Sequence, residues 1–190
     1  MYKLYGSLKI PGDKSISHRA LIMSSMSIGR SEIINLLEAD DIKSTIRILK
    51  QLGIIIEKKG NRWIVFGNGT NGFMQPKKIL NAQNSGTTAR TLIGAVSSNP
   101  IKCTFKGDKS LSKRSMSRVT NYLEQLGAKI KLTNKDFLPL AIEGNQNLIP
   151  QKIIIEKPSA QIKTSLIFAG LGLKGKLTII EKVKTRDHTE

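Results

Sequence analysis

One cysteine, Cys103, stands among the 190 residues, so the chain can form neither an intramolecular disulfide nor a cysteine-rich zinc site. A reducing, cytoplasmic setting is the expectation. Acids are scarce. Fourteen Asp and Glu face 31 Lys and Arg, a formal charge of +17, which must meet anions somewhere. Aromatics make up only 5% of the residues, too few for base-stacking platforms on nucleic acid. The longest apolar runs, such as 54–56 and 166–171, fall far short of the roughly 20 residues that span a bilayer, so no membrane helix is expected. The opening MYKLYGSLKIPGDK has no apolar stretch followed by a small-residue cleavage site and does not read as a secretory signal.

Hydrophobic residues at 39% and charged residues at 24% suit a chain that buries a core. Similar blocks start near Lys14, Ser85 and Ala160. They read KSISHRALIMSSMSIGRSEIINL, SGTTARTLIGAVSSNPIKCTF and AQIKTSLIFAGLGLKGKLTII. Each has a polar start, an apolar helical stretch, a Gly or Pro break and a β-rich run. Block one continues into a helix with Ile42, Ile46, Leu49 and Leu52 at helical spacing, a stop at Gly53, and the strands IIIEKK and RWIVFG. Block two repeats this with LEQLG, a stop at Gly127, and the strands AKIKL and LPLAIEG. Block three ends at Glu190 before its second helix. Its run SLIFAGL and the edge LTII are therefore expected to be partly uncovered. The blocks are placed at about 13–83, 84–157 and 158–190. The leading strand within residues 1–12 belongs to none of them and is expected to pair elsewhere. GNGTNG at 67–72 and Asn134 to Asp136 read as turns without a further role.

Each block opens its first helix with residues whose free backbone N–H groups suit an anion: Lys14-Ser15, Asn84 to Thr88, and Ser159 to Gln161. Ordinary capping by Ser, Thr and Asn explains any one opening; three copies favour a shared purpose. Lys14, Arg19, Arg90, Lys109, Lys113, Arg114, Arg118, Lys163 and Arg186 cluster at these openings and in one loop, where Arg offers a planar fork and Lys a mobile point charge. Lys58, Lys59, Lys77 and Lys78 read as solvated surface.

PGDKSISHRA, NSGTTAR, GDKSLSKRSMSRV, SAQIKTSLIFAGL and TRDHTE appear in that order, and together they resemble the 5-enolpyruvylshikimate-3-phosphate synthase (3-phosphoshikimate 1-carboxyvinyltransferase) family over the whole chain. The resemblance implies an α/β (α+β) fold of repeated βαβαββ units, enolpyruvyl-transferase-like, with helices inside and sheets outside. The third unit here is incomplete. Family proteins are about twice as long, so this chain answers to the N-terminal half, and the leading strand is expected to pair with the second domain. The second half is expected in the same or a separate chain. The implied reaction is transfer of the enolpyruvyl (carboxyvinyl) group from phosphoenolpyruvate to the 5-hydroxyl of shikimate 3-phosphate, on the shikimate route to chorismate and the aromatic amino acids. It uses no metal and no organic cofactor, and glyphosate inhibits it.

The same resemblance implies roles. Lys14 touches both substrates and Arg114 clamps phosphoenolpyruvate; these two form the catalytic set. Ser15 and Arg19 hold shikimate 3-phosphate. Asn84 joins the substrate-binding set, and Gly86 lets phosphoenolpyruvate approach the backbone. Ser159, Ala160 and Gln161 surround the shikimate phosphate and ring hydroxyls, Ala160 standing where one branch of the family has Ser. Arg186 adds a phosphate contact. Ser115 follows Arg114 where the family usually has Pro, so that loop is expected to be less rigid. The proton-transferring Asp and Glu of the family lie in the second half, so the isolated chain is expected to be inactive.

Asp13 and Asp108 read as partners of nearby cations and hence weak bases. His18 reads as a capping or packing residue. Neither it nor His188 has a second ligand nearby for a metal. Cys103 reads as a core thiol, and Trp63 as a residue of an edge strand. Three other readings compete. UDP-N-acetylglucosamine enolpyruvyl transferase usually carries a cysteine in the loop that here is GDKSLSKRS. A basic nucleic-acid-binding module lacks any helix-turn-helix, zinc-finger or RNP signature, so no nucleic-acid partner is expected. A degenerate ligand-binding fragment is the third.

Overall fold

The computed structural model describes residues 5–8 and 10–190. Block one contains α1 (Lys14–Met26), β1 (Ile28–Ile34), α2 (Asp40–Gln51), β2 (Ile55–Lys59) and β3 (Arg62–Asn68). Block two contains β4 (Leu80–Asn81), α3 (Gly86–Ser97), β5 (Lys102–Lys106), a 3-10 turn (Leu111–Lys113), α4 (Ser117–Gln125), β6 (Lys129–Thr133) and β7 (Phe137–Glu143). β8 (Lys152–Ile155), α5 (Ala160–Leu171) and β9 (Thr178–Glu181) follow. The full βαβαββ order is therefore seen in block two, with β4 and β8 lying just ahead of the first helices of their blocks.

Among the described residues three sheets form, with orders β1-β3-β2, β4-β5-β7-β6 and β8-β9. β4 with β5 and β8 with β9 are parallel; the remaining pairs are antiparallel. The helix stops read from LKQLG and LEQLG are left-handed glycines, Gly53 at φ 87° and Gly127 at φ 94°, a conformation that costs Gly nothing.

The helices lie inside. α3 and α5 cross at the centre so closely that a Cβ on Gly94 would run into the Ser165 carbonyl oxygen. The Ser165 hydroxyl donates to the Arg90 carbonyl at 2.9 Å. α5 carries apolar residues all round because it is surrounded: Leu166, Phe168 and Ala169 are fully buried. In the run SLIFAGL, Ser165, Leu166, Phe168 and Ala169 are buried, Ile167 and Gly170 are half-buried and Leu171 is exposed, which leaves the run partly uncovered.

One expectation changes. Trp63 sits on β3, the central strand of its sheet, with the Lys58 ammonium 5.6 Å from its ring centroid and that ammonium also paired with Glu38. Lys58 is therefore a tethered cation. Of the expected leading strand, residues 5–8 and 10 lie outside any strand, with Tyr5, Leu8 and Ile10 exposed; Met1 to Leu4 and Lys9 fall outside the described residues.

Candidate functional site

Three helix starts are tied into a ring by side chains. At α1, Asp13 caps the helix by accepting from the Ile16 N–H at 2.8 Å, and Lys14 reaches Asp41 at the start of α2 at 3.1 Å. The Asp41 carbonyl accepts from the Thr88 hydroxyl of α3 at 3.2 Å. Ser85 caps α3. Gln161 of α5 donates to Thr87 at 2.9 Å and accepts from Arg90 at 2.7 Å, joining α5 to α3. Arg19 of α1 donates to Thr164 of α5 at 2.6 Å and closes the ring. The ring residues lie in the first two turns of α1, α3 and α5, where backbone N–H groups lack partners within the helix and the helix dipole is positive.

Around the α3 start, Asn84 accepts from Arg114 at 3.2 Å and donates to Asp108 at 2.7 Å. Gly86 lies beside them. A Cβ there would stand 3.4 Å from an Arg90 nitrogen, 3.6 Å from an Arg114 nitrogen and 3.6 Å from Leu111, which is ordinary contact with no clash. Two guanidinium groups thus meet over the buried Gly86, which has no side chain. Burial lowers the pKa of Arg90, and the charges of Arg114 and Arg118 push it further down, so an anion here would relieve like-charge repulsion.

The structure brings Lys14, Ser15, Asn84, Gly86, Arg114, Ser159, Ala160 and Gln161 to these helix starts. Ser159 caps α5 by accepting from the Ile162 N–H, and Ala160 opens the helix without a hydroxyl. Arg186 is exposed, and its charge helps lower the Asp13 pKa. Arg19 is nearly buried. Its Nε donates to Thr189 at 2.8 Å and its Nη1 to the Ser15 carbonyl at 3.0 Å. Of its five N–H groups two have no partner among the described residues, and only these are available to a ligand.

Several sequence readings need correction. Lys163 is not a cation of the ring: it is buried in ion pairs with Glu181 at 2.8 Å and Glu190 at 2.5 Å. Burial pulls its pKa down, but the two carboxylates outweigh this and raise it. Asp13 and Asp108 act foremost as caps, not as cation partners. The Ile16 N–H holds Asp13, and the Leu111 N–H with Asn84 holds Asp108, below the usual carboxylate range. Ser115 is tied into its surroundings by hydrogen bonds. Its hydroxyl donates to Asp136 at 2.6 Å, its carbonyl accepts from Arg90 at 2.9 Å, and the Ser117 N–H donates to the same Asp136 oxygen at 3.2 Å.

Asp136, read only as a turn residue, therefore anchors the Arg114 loop. The signal was faint: one acid beside a β-turn, 21 residues from its partner. Arg90 was visible as a basic residue in NSGTTAR, but its double link was not. His18 is fully buried, with Nδ1 2.8 Å from the Thr45 hydroxyl, and burial pulls its pKa down to about 4. The buried Cys103 thiol is pushed up to about 12. No group of three or more metal-ligating side chains occurs among the described residues, and no helix there is long and apolar enough to cross a membrane.

Repeated α/β units, one of them a full βαβαββ, bring capped helix starts, a glycine and two arginine guanidinium groups together, the arrangement of an α/β domain suited to anions. The comparisons narrow this further. The family model for EPSP synthase (3-phosphoshikimate 1-carboxyvinyltransferase) matches residues 1–190. The 3-phosphoshikimate 1-carboxyvinyltransferase of Streptococcus agalactiae serotype Ia is 43% identical over 188 residues, which are 98% of this chain and 44% of that protein. Its Bartonella quintana counterpart is 44% identical over 187 residues, 98% of this chain and 42% of that protein. A solved structure of EPSP synthase from Acinetobacter baumannii superposes with a TM-score of 0.92 at 35% identity, covering 97% of this chain and 42% of that one. The chain belongs to the EPSP synthase family, and it spans less than half the length of these relatives.

Proposed function

We propose that this chain supplies the shikimate 3-phosphate side, and one face of the phosphoenolpyruvate side, of a 3-phosphoshikimate 1-carboxyvinyltransferase acting in the cytoplasm. One observation carries the reading: Arg90 links Gln161 of α5 to the Arg114 loop over the bare start of α3. Shikimate 3-phosphate lies against the α1 and α5 starts, with its phosphate on Ser159 and Arg186 and its ring hydroxyls on Gln161, Ser15 and the spare N–H groups of Arg19. Phosphoenolpyruvate lies against Gly86, where the backbone admits it, and Arg114 and Asn84 hold it. Lys14 stands between the two as a mobile charge.

The 5-hydroxyl gives up its proton as its oxygen adds to C2 of phosphoenolpyruvate, and the C2–C3 π pair takes up a proton at C3. Loss of a C3 proton then expels phosphate from the tetrahedral adduct. This chain's cations gather the two polyanions and stabilise charge on the departing phosphate. Asp13 and Asp108 serve poorly as bases, because the N–H groups they accept favour their ionised forms. The proton-moving carboxylates belong to the half of the family polypeptide that this chain does not match. A phosphate-release assay tests the reading. The 190-residue chain alone releases no phosphate from the substrate pair, and fused to the remainder of the S. agalactiae relative it does. Turnover by the chain alone at a rate matching that fusion would contradict the assignment.

A further inference from the structure

Beyond β9 the chain leaves the sheet. The Lys182 N–H donates to the Ile155 carbonyl at 3.2 Å, and residues 183–190 make no backbone–backbone hydrogen bond among the described residues. They form neither helix nor strand. Side chains alone therefore set the course of this segment, which carries Arg186. Arg186 is exposed, with no hydrogen bond or ion pair among the described residues, so its place follows from how the base of the segment is held.

Two consecutive residues of α5 hold that base. Lys163 pairs with Glu181, the last residue of β9, at 2.8 Å and with Glu190 at 2.5 Å, so one ammonium draws the two ends of residues 181–190 together. Glu181 in turn accepts from the Thr185 hydroxyl and from the Thr185 N–H, the latter at 3.5 Å. Thr164 meets Thr189 at 2.6 Å. A chain of contacts thus runs from Lys163 through Glu181 to Thr185, the residue before Arg186. The Lys163 and Glu181 side chains are only 7% and 13% exposed. A pair so nearly buried loses about as much in desolvation as it gains in attraction. An apolar pair would stabilise the fold as well, but it would not fix two carboxylates at one point.

We infer that Lys163 is a positioning residue: through Glu181 and Thr185 it sets where Arg186 stands, and so it governs shikimate 3-phosphate binding from a place that does not touch the substrate. The inference rests on the placement of the shikimate phosphate against Arg186 proposed above. It carries a kinetic signature. A contact made equally in the ground state and the transition state, once weakened, raises KM and leaves kcat as it was.

Steady-state kinetics of a fusion of this chain to the remainder of the S. agalactiae relative tests it. Lys163→Met removes the ammonium and keeps an unbranched apolar stem. It raises the KM for shikimate 3-phosphate about tenfold, the size of one weakened hydrogen bond to a charged group, and leaves kcat and the KM for phosphoenolpyruvate unchanged. Lys163→Arg still offers donors to both carboxylates and recovers most of the loss. Thr185→Val cuts the same chain of contacts outside the core and raises the same KM about threefold, the size of one ordinary hydrogen bond. In an Arg186→Ala background neither change has a further effect, because both act through Arg186. An unchanged KM for shikimate 3-phosphate in a folded Lys163→Met fusion or in Thr185→Val, equal rises in KM for both substrates, a fall in kcat, or effects that add to that of Arg186→Ala would overturn the inference. Should Lys163→Met not fold, Thr185→Val decides alone. Arg186→Ala separates the two levels. If it leaves the KM for shikimate 3-phosphate unchanged, the phosphate placement falls and the inference with it; if it raises that KM while Lys163→Met and Thr185→Val do not, the placement stands and only the inference is overturned.

Discussion

The Arg90 guanidinium on α3 donates at 2.7 Å to the side-chain oxygen of Gln161 on α5. Its other arm holds the Ser115 carbonyl at 2.9 Å, so one half-buried cation sets the spacing between the two proposed substrate places. Arg90→Ala removes both bonds. Hydrogen bonds to charged groups contribute about 1.5–3 kcal/mol each, so urea unfolding shows a loss of at least about 2 kcal/mol. Arg90→Lys keeps the charge but cannot span both partners, and it recovers part of that stability. An Arg90→Ala chain as stable as wild type would remove Arg90 from this role.

Two glycines separate packing from binding. A Cβ on Gly94 meets the Ser165 backbone, whereas one on Gly86 meets only side-chain atoms at ordinary distance. Gly94→Ala therefore destabilises the fold by about 1–3 kcal/mol, read from the urea midpoint. Gly86→Ala leaves that midpoint unchanged and, in the fusion with the relative's second half, weakens glyphosate inhibition more than it weakens shikimate 3-phosphate binding. Equal inhibition before and after the change would take Gly86 out of the site.

Stability falls with acid in two windows. The buried His18 ring is neutral, with its pKa drawn from 6.5 to about 4, so the unfolded chain takes up a proton that the folded chain refuses. From well above pH 6.5 down to pH 5 this costs about 2 kcal/mol, 1.5 units at about 1.4 kcal/mol each. Asp13, Asp108 and Asp136 are held below their ordinary 3.8. Their contribution is present above that value and is lost only as pH falls through the lower folded values. Urea midpoints at pH 7.5 and pH 5 check the first window, and His18→Gln flattens it. A wild-type midpoint that does not move between those pH values would contradict a buried neutral His18.

Much of this was legible because local chemistry decides it. Asp13, Ser85 and Ser159 cap the helices that their motifs announce, and Gly53 and Gly127 end α2 and α4 as LKQLG and LEQLG imply. What the sequence conceals is contact across blocks. Nothing local shows that Gln161 meets Thr87 and Arg90, over 70 residues away, or that Asp136 holds Ser115. Lys163 misled for the same reason. In SAQIK it looks like one more cation at a helix start, but helical spacing turns it away from the ring toward Glu181. The close crossing of α3 and α5 that Gly94 permits could likewise not be read from either helix.

The central claim is that three helix starts in this chain form the shikimate 3-phosphate side of the site. Titration calorimetry of the 190-residue chain with shikimate 3-phosphate tests it most directly, with Lys14→Ala as the variant and duplex DNA as the competing anion. Binding is expected to weaken as salt rises, to fall about tenfold in Lys14→Ala and to exceed binding of duplex DNA. Equal binding by wild type and variant, or tighter binding of the DNA, would contradict it.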